Sequence, residues 1–264
     1  MSKEVKFAVA IWLVLMTLYM NHTAPEERSH DFWDHVQYTK ILVNKHRLPY
    51  PNEGWETYQP PLYYLINGFV LPQTIKSNLA IHINLVRLIS IIYGAITLFL
   101  ISSLLSEFTN NITAKILALM FIATTPTYVF IFSTYNNDSL MALLCIALVV
   151  VFRKLEKNWS YKNIFLLYIL ATASLYTKIT SIVCIGSLFF ICMRGLFVFI
   201  APSKLHIKIM GLLFLSIISL LPWMIFHNYK HTDKLIPSND TTLKNISILT
   251  KHRKVLGLLL KDEK

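Results

Sequence analysis

The chain is poor in charge: Asp, Glu, Lys and Arg make up 15% of its 264 residues, against about 25% in soluble domains. An ordinary soluble globule is therefore excluded. Cysteine is scarce as well, and Cys145, Cys184 and Cys192 all lie inside apolar runs, which excludes a disulfide framework and a thiolate zinc cluster. No internal repeat is present, and no Gly-rich or low-complexity linker divides the chain. A single membrane domain spanning residues 1–264 is the expected partition. Basic residues exceed acidic ones by 11, yet no RNA-binding or helix-turn-helix pattern accompanies the excess. No nucleic-acid partner is expected, and the positive charge is assigned to helix ends facing cytoplasm and anionic lipid.

What is abundant is apolar surface, at 55% of residues with 13% aromatics and a mean hydropathy of +0.51. That excludes disorder and places the protein in a bilayer, where a helix needs roughly 17 to 25 mostly apolar residues to cross. Seven such segments can be read from the sequence. Phe7 to Thr23 is the first, an anchor without a small-residue cleavage site. Leu88 to Ser106, Ile116 to Tyr135 and Ser139 to Phe152 follow, the last extended backward through Asn136, Asn137 and Asp138. Asn163 to Ala201 is twice a spanning length and reads as a hairpin turning near Lys178, giving spans five and six. Ile209 to His227 is the seventh. The expected fold is all-α, a polytopic membrane protein with about seven transmembrane helices and a long outer first loop bearing surface helices.

With the N-terminus inside, the short cytoplasmic segments hold Lys3, Lys6, Lys115, Arg153, Lys154, Lys157, Lys162, Lys204 and Lys208, whereas the short outer turns hold Lys178 alone. The positive-inside rule then puts residues 24–87 and the tail 228–264 on the extracytoplasmic side, most simply at a bacterial inner membrane. Six of the 14 acidic residues, Glu26, Glu27, Asp31, Asp34, Glu53 and Glu56, fall in that first loop. A loop of such length is usually functional. From Ser29 to Lys45 it lacks Gly and Pro and is expected to form a surface helix, on which Asp31 and His35 share a face at i,i+4. After Leu48-Pro49-Tyr50-Pro51, Pro61 is placed to open a second amphipathic helix. Trp55, Tyr58, Tyr63 and Tyr64 suit the headgroup level.

The residues Asp31-x-x-x-His35, Leu48-Pro49 and Glu53-Gly54-Trp55-Glu56-x-Tyr58-Gln59-Pro60-Pro61-Leu62-Tyr63-Tyr64 resemble the first periplasmic loop of GT-C superfamily glycosyltransferases. The nearest resemblance is to the protein O-mannosyltransferase and aminoarabinose transferase-like group, which take sugars from polyprenyl-phosphate carriers. Arg87-Leu88-x-Ser90, Asn137-Asp138, Tyr176-Thr177-Lys178, Pro222-Trp223 and His227-Asn228 continue the match in order. Gln59 stands where the aminoarabinose branch has Lys, which disfavours that branch. Family members are longer and carry more spans, so this chain is expected to be an N-terminal part, or to work with a second polypeptide that supplies the missing spans.

The resemblance implies a sugar transfer on the outer face, with Asp31 as the catalytic base. Its alternative is a helix cap. His35 could orient the acceptor or help hold a divalent ion, and no other cofactor is implied. Asp138 and Lys178, at the outer ends of their spans, and Arg87, entering span two, are candidate substrate contacts. Capping for Asp138 and snorkelling for the two cations are the alternatives. Gln59 is a further candidate through the double-proline motif. Glu53 and Glu56 read as a solvated loop, with substrate contact as the alternative for Glu56. His22, His30, His35 and His46 have no zinc-ligand spacing, and Arg194 is left to snorkel inward. Two other functions compete: a transporter, against which the one-sided clustering of charge argues, and a non-catalytic accessory subunit or remnant.

Overall fold

The computed structural model describes residues 3–24, 29, 31–70, 72–198 and 204–237. Glu26, Glu27, His30 and the tail beyond residue 237 lie outside the described residues, so most of the expected outer tail is not described. Among the described residues every regular element is helical. The chain opens with α1 (Lys3–His22), then α2 (Phe32–Lys45), α3 (Leu62–Val70) and the short α4 (Pro72–Ser77). The long α5 (Leu79–Phe108) follows, capped by Asn78 Oδ1, which accepts from the Ile81 amide at 3.1 Å. α6 (Ile112–Thr124), α7 (Pro126–Ser133), α8 (Asp138–Lys157) and α9 (Tyr161–Thr177) come next. A 3-10 turn (Ile179–Ser181), α10 (Ile182–Val198), α11 (Lys204–Ser219) and a π-helical turn (Trp223–Tyr229) complete it.

Among the described residues the seven apolar segments are helical but for short breaks such as those at Thr125, Thr134–Tyr135 and Lys178, and this is an integral membrane protein. By length and hydropathy, α1, α5 and the stretch Leu205–Thr232 suffice to cross, and the pair α6 and α7 makes a fourth if counted together. Large apolar side chains stand out around the bundle, Phe121, Phe165, Phe190 and Phe226 each at least 66% exposed. Such a band is stable against hydrocarbon and not against water.

The segment expected as one straight span from Ile116 to Tyr135 is instead bent by 60°. Pro126 is the reason: it brings no amide hydrogen and drives the preceding residue from helical geometry. Thr125 accordingly has φ −61° and ψ 128°, and Pro126 opens α7 at its first position. The hairpin after α9 turns at Lys178, whose backbone is extended (φ −157°, ψ 130°).

Three apolar clusters hold the bundle. Trp12, Met16, Ile91, Leu98, Leu119 and Phe132 join α1, α5, α6 and α7. Leu148, Phe152, Leu167, Leu175, Ile185, Leu213 and Trp223 join α8 through α11 and the π turn. The third cluster decides the position of the site: Phe32, Val36, Tyr38, Tyr63, Tyr64, Val86, Tyr135 and Leu140 bind the first loop onto α5 and α8. The loop is thus packed into the end of the bundle. Tyr63 and Tyr64, expected at headgroup level, are 1% and 0% exposed core residues, because the helix opened by Pro61 turns that face inward.

Opposite charges tie the other end. Glu107, at the end of α5, lies 3.0 Å from Arg153 Nε and 2.9 Å from Lys157 Nζ on α8.

Candidate functional site

Asp31 stands where a cap for α2 would stand, yet its carboxylate makes no capping hydrogen bond. Ser29 Oγ donates to Oδ1 at 2.8 Å, and Oδ2 lies 3.4 Å from His35 Nε2. The capping alternative is thereby removed. The His35 imidazole, aided by Ser29, holds the Asp31 carboxyl well below the usual carboxylate range despite partial burial. His35 itself is 1% exposed, and its Nδ1 is 2.8 Å from Tyr64 Oη. Tyr64 is clamped from behind by Tyr38, stacked at a ring separation of 3.6 Å.

Glu56 departs from the solvated-loop expectation: it is 6% exposed. The loop folds back through short turns, in which Gln59 N donates to Glu56 O at 3.1 Å and the Thr57 hydroxyl to Gly54 O at 2.7 Å. Burial pushes the Glu56 carboxyl upward. Its carboxylate, the Asp31 carboxylate and a His35 ring nitrogen lie within 4.8 Å of one another. Glu53 is held apart from this cluster by Arg47, in two contacts of 2.6 and 2.7 Å, and by Lys45 at 3.3 Å. The Arg47 guanidinium pulls the Glu53 carboxyl down to about 2.

On the bundle side, Asp138 does not cap α8 by its side chain; Asn136 Oδ1 does, accepting from Ser139 N at 3.1 Å. Asp138 Oδ1 instead takes Lys178 Nζ at 2.6 Å, with the Lys178 side chain 17% exposed. Lys178 is thus paired with Asp138. The neighbouring Asn137 places Nδ2 3.5 Å from Tyr64 Oη, and Lys178 and Asp31 both act electrostatically on Glu56. Asp31, His35, Tyr64 and Asn137 are thus joined by polar contacts, the Asp138–Lys178 pair follows at the next residue, and Glu56 feels the charge of both Asp31 and Lys178, which makes one polar strip.

Gln59 is 5% exposed, with Nε2 3.1 Å from Tyr58 Oη and Oε1 buried without a hydrogen-bond partner. Arg87 is 2% exposed, its Nε donating to Ser133 O at 2.7 Å, which ties α5 to the end of α7. Beyond the loop, the π turn stacks Trp223 on His227 at 3.8 Å, and His231 just after it stacks on Tyr50 of the loop at 4.6 Å. π turns recur at functional sites, and this one adjoins the loop that carries Glu56. Tyr64, Tyr38, Asn137 and Ser29 were not singled out from the sequence as site residues. Only the double proline hinted at Tyr64, by opening the helix that presents it. Arg194 is exposed.

A bundle of apolar helices whose polar first loop is buried into one end defines a class, the polytopic membrane protein with a site at its rim. The chain belongs to a family described as predicted membrane proteins (DUF2142), whose model matches residues 37–262. Among solved structures it is similar to a two-subunit protein O-mannosyltransferase complex of S. cerevisiae bound to the sugar donor, with a TM-score of 0.60 and 19% identity. That likeness covers 88% of this chain and 35% of the yeast chain. The likeness is one of fold, and this chain spans about a third of the yeast protein. No curated protein matches the sequence.

Proposed function

We propose that the protein is an integral-membrane glycosyltransferase of the GT-C type, moving a sugar from a polyprenyl-phosphate carrier to an acceptor on the extracytoplasmic face. In this reading the seven apolar segments all cross and the Glu107–Arg153 end faces the cytoplasm. Residues 24–87 and 228–264 then lie outside, in one membrane domain, and a second polypeptide can complete the bundle. The fold likeness supports the class of reaction. The observation that carries it is the placement of an uncapped carboxylate, Asp31, in one polar strip with the cation Lys178.

Asp31 accepts the proton of the acceptor hydroxyl as that oxygen attacks the anomeric carbon from the face opposite the leaving group. The anomeric carbon–oxygen bond breaks, and the lipid phosphate leaves with the electron pair. Its new negative charge develops beside Lys178, which partly exchanges Asp138 for the phosphate and acts as a point charge in a poorly hydrated site. His35, held by Tyr64, orients the acceptor. Glu56 and Gln59 line the acceptor side, and Arg87 serves as a strut between α5 and α7.

Steady-state transfer in proteoliposomes tests this. Asp31→Asn keeps shape and removes the base, so kcat falls by about 100 to 10,000-fold with little change in the donor KM. Lys178→Ala raises the donor KM. Near-normal kcat for Asp31→Asn in a folded protein refutes the assignment. An accessory, non-catalytic role is favoured if the wild type transfers nothing from any donor. The transporter reading has no observation in its favour here.

A further inference from the structure

Asp31, His35 and Glu56 bring two carboxylates and one imidazole together in a largely buried cluster. Glu56 is 94% buried, and its Oε2 has no hydrogen-bond partner; His35 is 99% buried, and its Nε2 has none either. Nε2 sits 3.4 Å from Asp31 Oδ2, within ion-pair reach but without the alignment of a hydrogen bond. In the tautomer that carries its proton on Nδ1, His35 donates to Tyr64 Oη at 2.8 Å and the Nε2 lone pair is left beside the Asp31 carboxylate. In that tautomer the lone pairs of the ring and the carboxylates repel one another, and Glu56 Oε2 is unsatisfied in either tautomer. Something positive belongs between them.

A proton on His35 would satisfy Asp31 and still leave Glu56 Oε2 without a donor. We propose that Asp31, His35 and Glu56 form a binding site for one divalent transition-metal ion, of the manganese or zinc class, held by His35 Nε2 and one oxygen from each carboxylate. The ligand atoms lie within 4.8 Å of one another, and ligands at about 2.0–2.2 Å around a common ion stand roughly 3–4 Å apart, so small side-chain rotations close the set. The secondary contacts are those a metal ligand needs. Tyr64 fixes the ring through Nδ1, as the outer partner of a ligating histidine does, and Ser29 holds the second oxygen of Asp31. One imidazole with two carboxylates favours manganese or zinc over magnesium or calcium, which prefer all-oxygen shells.

Burial is uneven in a useful way. His35 and Glu56 are enclosed, whereas the Asp31 side chain is 36% exposed, so the open coordination position faces the Asp31 side. Three protein ligands with an open position are the arrangement of a reactive site, and a fully enclosed structural one would lack it. The ion would draw an oxygen of a hydroxyl or phosphate to that position. Metal binding does not depend on the sugar-transfer reading, since it is measured without substrate.

The test uses the purified full-length protein in nanodiscs, stripped with chelator and titrated with Mn2+ alone, the free ion being followed by electron paramagnetic resonance. Zn2+ uptake is counted separately by elemental analysis. One equivalent is expected. His35→Ala and Glu56→Gln should each lower Mn2+ affinity beyond the about 10 to 100-fold typical of outer-shell changes, whereas Tyr64→Phe should fall within that range. Glu53→Gln, an equally acidic neighbour already paired with Arg47, should leave affinity unchanged. Monodisperse elution and an unaltered helical circular dichroism signal identify the variants that remain folded. No bound equivalent in the wild type, or an affinity that is the same in folded Glu56→Gln, overturns the proposal.

Discussion

Gly94 gives the sharpest test of how the bundle holds the site. It lies in α5 where α1 and α7 cross, and a Cβ added there would stand 2.4 and 2.6 Å from the outer ring carbons of Trp12 and 2.8 Å from Phe132 Cγ. Ordinary carbon contacts need about 3.5 Å, so Trp12 would have to retreat by about 1 Å. It has nowhere to go: Trp12 is fully buried and packs edge-on against Tyr128 and Phe132, with ring separations of 5.9 and 6.3 Å. Tyr128 is anchored in turn, its hydroxyl donating to Gly94 O at 2.7 Å. Overpacking of this kind costs about 1–3 kcal/mol. Alanine recovers about 0.5–1 kcal/mol of helix propensity over glycine. The clash wins, and Gly94→Ala should lose about 1–2 kcal/mol, a fall of several degrees in the melting temperature of the detergent-solubilised protein. Trp12→Phe combined with Gly94→Ala should restore part of the loss, with a coupling energy of about 0.5–3 kcal/mol. A Gly94→Ala protein as stable as the wild type, or strictly additive effects with Trp12→Phe, would refute the crossing of α1 over α5. The seating of Asp31 just beyond α1 would fall with it.

Further outcomes follow from the loop and its anchor. Asn136→Ala removes the cap of α8 and should cost about 1 kcal/mol in a thermal melt, while Asn137→Ala, which caps nothing, should leave the melt of α8 unchanged and instead loosen Tyr64. The Arg47–Glu53 hook is sensitive to acid. Glu53 has its carboxyl drawn down from 4.5 to about 2, so its contribution is whole above about pH 4.5 and is lost as pH falls through about 2. Hydrogen exchange of residues 47–57 should rise over that window, and Glu53→Gln should show the raised exchange at neutral pH. The pair is part-exposed, so its loss should cost no more than about 1 kcal/mol. Reversing the pair at the mouth of α8 supplies another check: Asp138→Lys or Lys178→Asp alone should destabilise the protein, and the double exchange should recover stability without restoring use of a phosphate donor.

Much of the fold was legible because bilayer thickness dictates the length of an apolar run, and each run from Phe7 to His227 became helix but for short breaks. The bend at Thr125 was written in Pro126 but masked by the uninterrupted apolarity around it. Asp31 and His35 were legible from one turn of helical spacing, and Asp138 and Lys178 from charges left at the ends of apolar segments. Glu56 was not, because its burial comes from the way the loop folds back, bringing it beside Asp31, His35 and the distant Lys178. For the same reason Tyr64 read as an interfacial aromatic: nothing local reveals that Pro61 starts a helix packed against α2. Arg87 illustrates the converse. Its position entering α5 was plain, but its carbonyl partner Ser133 lies 46 residues on, beyond any spacing rule.

The central claim is that the polar strip between Asp31 and Lys178 receives a lipid-phosphate sugar, and cryo-electron microscopy of the full chain with a non-transferable polyprenyl-phosphate sugar tests it most directly. The donor phosphate should lie within hydrogen-bond reach of Lys178 Nζ, about 2.7–3.2 Å, with the sugar directed toward Asp31 and His35. A donor phosphate seated at the opposite end of the bundle, beside Arg153 and Lys157, would contradict it.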